Sequence, residues 1–122
     1  MEQCLPNRSP GCPVEGALDV IGGKWKGVVM FHLLDGTKRF NELRRMMPGV
    51  TQRMLTRQLR ELEADGLVHR EVYAEVPPRV EYSLTAKGET LRDIILALKV
   101  WGETHVPYYA KKKEDNAETI SA

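Results

Sequence analysis

Residues 41–66 read NELRRMMPGVTQRMLTRQLRELEADG, two helix-forming segments separated by Pro48-Gly49. Asn41 is suited to cap the first, a helix through Met47 with Leu43, Met46 and Met47 on its inner side. Thr51 is a good N-cap for the second. In it Leu55, Leu59 and Leu62 recur at spacings of four and three, and Asp65-Gly66 supplies the stop. Wound at about 100° per residue, this segment puts Arg53, Arg57 and Arg60 on the side away from the leucines, with Thr56 beside them. Thr51 and Gln52 fill the first turn. Two short helices joined by a tight turn form a helix-turn-helix, whose second helix presents its N-terminal residues to base edges; Arg suits guanine and Gln suits adenine. For such a helix in isolation a solvated basic face is the plainer account. The preceding helix, the Pro-Gly turn, Arg44 with Arg45 and the hairpin that follows all favour DNA.

Upstream, Val14, Ala17, Leu18 and Ile21 follow helical spacing, with Pro13 at a first helical position and Gly22-Gly23 closing the segment. Residues 24–34 hold Trp25, Val28, Val29, Met30, Phe31, Leu33 and Leu34 and predict a central buried helix ended by Asp35-Gly36. Residues 37–40 read as a short extended link. Downstream of Leu67 the period becomes two, with Val68, Val72, Val80, Tyr82 and Leu84 on the alternating positions around Pro77-Pro78, which predicts a β-hairpin with a proline-rich tip. Thr85 is expected to cap one long final helix. Its stripe of Leu91, Ile94, Ile95, Leu98 and Trp101 offers more apolar surface than so short a chain covers by itself, so a homodimer interface is expected there.

The chain therefore reads as α+β, mainly α: an irregular arm over 1–12, a winged helix-turn-helix domain with a long C-terminal dimerisation helix over 13–109, and a disordered polar tail over 110–122. At 122 residues and 42% hydrophobic it can bury one ordinary core. Its longest uncharged apolar run, 27–34, falls far short of the roughly 20 residues of a membrane helix, and a cytoplasmic protein with no membrane partner is expected. The formal net charge of +1 conceals a segregation of sign: between positions 24 and 60 nine basic residues face only Asp35 and Glu42, and the acids gather from Glu61 onward. The basic stretch suits a polyanion. Lys38 and Arg39 are candidate phosphate contacts, and Arg44 is a further candidate DNA contact. Arg79, beside the prolines, is either a wing residue for phosphate or the minor groove, or a charged turn residue.

Enzyme chemistry finds no support. His32, His69 and His105 are far apart without metal-ligand spacing, and no phosphate-binding glycine loop, nucleophile elbow or paired carboxylates occur, so no cofactor and no catalytic residue is expected. A thiol enzyme built on Cys12 would lack a base, and a winged helix used only for protein contact would not need the three arginines.

The motifs CPVE (12–15), GKWK (23–26), RFNEL (39–43), GVT (49–51), ML (54–55), LRELE (59–63), DGLV (65–68), VEY (80–82), LT (84–85) with Gly88, and WG (101–102) together resemble the HxlR-type regulators, relatives of the MarR group. The resemblance spans about 12–105. It implies a dimeric winged-helix protein that binds inverted-repeat operators in double-stranded DNA, commonly near or within the promoters it controls; repression by occluding a promoter is expected, with activation as the alternative. It also bears on Cys12, because some members are similar in having a cysteine at this motif position that senses oxidants or electrophiles. A thiol at a helix N-terminus gains thiolate character from the helix dipole. The alternative is an inert, half-buried cysteine. No thiol follows Cys12, so a disulfide would join Cys12 to its twin or involve Cys4, and a link to a C-terminal thiol is out of reach.

Overall fold

The computed structural model describes residues 12–108. The expected tail, and the arm apart from Cys12, lie outside that span, and Cys4 with them. The chain divides after Thr90 into two units.

In the first unit, α1 (Pro13–Ile21) starts with Pro13 at its first position, where a missing N–H costs nothing. It buries no residue: Val14 and Leu18 are 65% and 58% exposed. The central helix α2 (Lys26–Leu33) starts two residues later than the sequence suggests, after a turn in which Trp25 is buried beneath the Lys24 ammonium. Val29, Met30 and Leu33 anchor it in the core.

The link at 37–40 contains β1 (Lys38–Arg39), which pairs with a later strand and leads into α3 (Phe40–Met46). The expected cap at Asn41 is corrected here. Pairing keeps Arg39 extended, so Arg39 is the N-cap, its amide donates to Glu42 Oε1 at 2.9 Å, and Asn41 falls within the first turn. Met46, expected inside, is 38% exposed; Leu43 and Met47 are the inward residues.

Helix α4 (Gln52–Ala64) begins as its sequence predicts, with Thr51 Oγ1 accepting from the Met54 amide at 3.1 Å. Leu55, Leu59 and Leu62 are at most 1% exposed, and burying each contributes on the order of 2 kcal/mol. The helix stops at Gly66, whose φ of +77° is a conformation open to glycine.

Strands β2 (Val68–Tyr73) and β3 (Arg79–Leu84) form the hairpin, and the antiparallel sheet has the order β1-β3-β2. Val68 and Tyr82 are buried at its base, but Val72 is 50% exposed and Val76 fully so, because the outer half of the hairpin extends past the core. The fold is the winged helix-turn-helix, mainly helical with one small sheet.

The single final helix expected after Thr85 is in fact two. Thr85 caps α5 (Ala86–Glu89), which ends where the Thr90 hydroxyl and amide both turn back to the Lys87 carbonyl, the competition that Thr brings to a helix interior. The second unit contains α6 (Arg92–His105), tied by a Lys99–Glu103 ion pair at 2.8 Å and by Trp101 stacked on His105. On α6 Ile94, Leu98 and Trp101 are 50%, 57% and 60% exposed, whereas Ile95 is buried and Leu91, just before the helix, is half-buried.

Candidate nucleic-acid interface

The leucine face of α4 is held by the core, so its opposite face is turned outward. There Gln52, Arg53, Thr56, Arg57, Arg60 and Glu61 line an open depression of about 580 Å³. The structure thus brings five of the expected reading-helix residues together. Arg53 and Arg60 are exposed and make no ion pair among the described residues. Arg57, 79% exposed, is held by Glu61 at 3.2 Å. Thr56, half-buried, uses its hydroxyl to donate to the Gln52 carbonyl at 2.8 Å, so its one hydroxyl proton is already engaged. Thr51 sits at the N-cap with its hydroxyl engaged by the Met54 amide.

Glu61 is the member that the sequence does not single out, since it opens the acidic half of the chain. Its other oxygen meets Lys26 of α2 at 3.0 Å. The hydrogen bond from Lys26, with Arg57 adding to it, lowers the Glu61 carboxyl below its ordinary value. The signal available in the sequence was the four-residue spacing from Arg57.

The remaining basic residues are placed differently from one another. Arg44 and Arg45 are exposed in the last turn of α3, at the entry to the turn before α4. Arg39 is exposed on β1, while Lys38 is half-buried and paired with Asp35 at 2.8 Å, an attachment that lowers the Asp35 carboxyl. Arg79 is folded back on the hairpin. Its guanidinium lies 4.1 Å from the Tyr73 ring centre and 3.5 Å from both Glu75 and Glu81. The Glu81 carboxylate next to Tyr73 in turn raises the phenol's pKa. Arg79 is therefore engaged at the flank of the wing, not held out as a free probe.

Cys12, half-buried, is the N-cap of α1, with its carbonyl accepting from the Gly16 amide at 3.0 Å. Among the described residues no group of three or more His, Cys, Asp or Glu side chains is placed to hold a metal. His32 packs edge-on against Phe31, His69 lies near Glu71, and His105 stacks on Trp101. No helix of the described residues is long and apolar enough to cross a membrane.

Comparison with known proteins places the chain in a family. The family described as HxlR-like helix-turn-helix matches residues 20–109. The Bacillus subtilis (strain 168) protein named uncharacterized HTH-type transcriptional regulator YybR is 67% identical over 100 residues, 82% of this chain and 79% of that protein. The redox regulator HypR in its oxidized form is 68% identical, with a TM-score of 0.75, over 77% of this chain and 97% of that chain. Its reduced form is 64% identical, with a TM-score of 0.76, over 81% and 98%. With a family match across most of the folded residues and relatives this similar, the chain belongs to the HxlR-like helix-turn-helix family.

Proposed function

We propose that this chain is a homodimeric, sequence-specific transcription regulator, a repressor that occupies an inverted-repeat operator in the cytoplasm and is switched by an oxidant or small electrophile at Cys12. The observation that carries the reading is the outward face of α4, where Gln52, Arg53, Arg57 and Arg60 surround one open depression opposite a buried leucine face. A helix mounted this way enters the major groove with its first turns against base edges. The exposed Arg44 and Arg39 supply phosphate contacts on the flanks, Lys38 stays with Asp35 instead of reaching a phosphate, and Arg79 shapes the wing through Tyr73. HypR, named a redox regulator, supports the switch.

For the dimer, Ile94, Leu98 and Trp101 supply an apolar stripe on α6, with Leu91 at its start. Ile95, expected on the same interface, is already 4% exposed in the single chain, so it is not part of the surface a partner would meet. Two reading helices held about 34–36 Å apart would match successive major-groove half-sites. No catalytic step and no cofactor is assigned.

The test is titration of a duplex selected from a random-sequence pool, read by fluorescence anisotropy across a salt series. Affinity is expected to fall steeply with salt, and Arg53→Ala with Arg57→Ala to weaken the selected duplex at least about tenfold. Full-strength binding by that double variant would remove α4 as the reading helix.

A further inference from the structure

One side chain on the reading face of α4 is acidic. Glu61 Oε1 lies 3.0 Å from Lys26 Nζ and Oε2 lies 3.2 Å from Arg57 Nε, so a single carboxylate holds one cation from α2 and one from α4. The Lys26 side chain is 13% exposed, that of Glu61 41% and that of Arg57 79%. The carboxylate itself is not enclosed, and an uncharged Gln would fill the same space. In a surface turned toward a polyanion such a charge opposes binding twice, by repelling phosphate and by occupying cations that would neutralise it.

Resting on the reading of α4 as the DNA-reading helix, we infer that Glu61 is a specificity-determining positioning residue. It restrains Lys26 and Arg57 from the phosphates of arbitrary duplex and fixes the direction of the Arg57 guanidinium. Indiscriminate electrostatic binding is thereby weakened. A cognate sequence, which also satisfies Gln52, Arg53 and Arg60 at base edges, loses proportionally less, so the gap between right and wrong sequences widens.

The experiment compares Glu61→Gln, Glu61→Asp and the natural chain on the selected duplex and on a random-sequence duplex across a salt series. Glu61→Gln is expected to steepen the log–log salt dependence on random duplex by about two, one for each released cation, and to raise that affinity roughly tenfold. The selected duplex gains less, so the ratio of the two affinities falls several-fold, and Glu61→Asp restores most of it. An unchanged slope, or equal weakening on both duplexes, overturns the inference. Should Lys26 without its partner prevent folding, the double variant Lys26→Met with Glu61→Gln removes the half-buried ammonium and releases Arg57 alone, with an expected slope change of about one. A natural chain that binds the selected duplex without salt dependence would instead overturn the reading of α4 on which this rests.

Discussion

Thr85 donates its hydroxyl to the Gly66 carbonyl at 2.6 Å, so the residue that caps α5 also serves the backbone that ends α4. The same oxygen accepts from the Gly88 amide at 3.0 Å, and Lys87 Nζ donates to the Asp65 carbonyl at 2.9 Å. Carbonyls at a helix C-terminus lack partners within the helix, and here α5 provides them. Thr85→Ala should destabilise the protein by about 1–2 kcal/mol, which corresponds to a thermal midpoint lower by roughly 5–10 °C. Thr85→Ser should retain most of it. A midpoint change within about 2 °C for Thr85→Ala would mean that water serves these carbonyls equally well.

Gly88 is packed where no side chain fits. A Cβ at this position would lie 2.3 Å from the Leu67 carbonyl oxygen and 3.3 Å from a Leu84 methyl. The first is a clash with backbone, so α5 must move away from the start of β2. Gly88→Ala should cost about 1–3 kcal/mol in denaturant unfolding with an unchanged m-value. A neutral variant would show that α5 shifts without resistance.

These contacts mark the limit of what the sequence reveals. Helix α4 was legible because Thr51, the leucine spacing and Gly66 are all local signals, and each is in place. The break between α5 and α6 was not, since Leu91 continues the apolar spacing across it and the residues at the break, Thr90 and Leu91, are neither Gly nor Pro; it comes from bonding at Thr90. Strand β1 is two residues long and exists through pairing with Glu81 and Tyr82, some forty positions away. For the site, the arginine face could be read from periodicity. That Arg79 lies directly across the hairpin from Tyr73, and that Lys26 reaches Glu61 from another helix, depends on tertiary register.

His32 provides a pH signature. It lies on α2, partly buried, and that burial is the main reason its pKa falls below the ordinary 6.5; Lys38 adds to the lowering, while Asp35 and a hydrogen bond to the Met46 backbone oppose it. The unfolded chain therefore takes up this proton at a higher pH than the folded chain does. The resulting stability is fully present above pH 6.5 and is lost as pH falls through the lower folded value. Thermal midpoints of the natural chain and His32→Gln should run parallel above pH 6.5 and converge below it. Parallel curves down to pH 5 would assign no linkage to this group.

Cys12 offers a test of the proposed switch at the level of bonds. It is half-buried at the start of α1, where the helix N-terminus favours the thiolate as a class of site. Hydrogen peroxide would convert the thiol to a sulfenic acid with release of one water. Condensation with a second thiol, Cys12 of another copy or Cys4, would then form the disulfide and release a second water. DNA affinity of the natural chain should change about fivefold or more on oxidation and recover with a dithiol reductant. Cys12→Ser should not respond. A response kept in Cys4→Ser, together with a covalent dimer on non-reducing gels, would assign the pairing to Cys12 and its twin, whereas loss of the response would assign it to Cys4. Equal responses in the natural chain and Cys12→Ser would exclude Cys12 as the sensor.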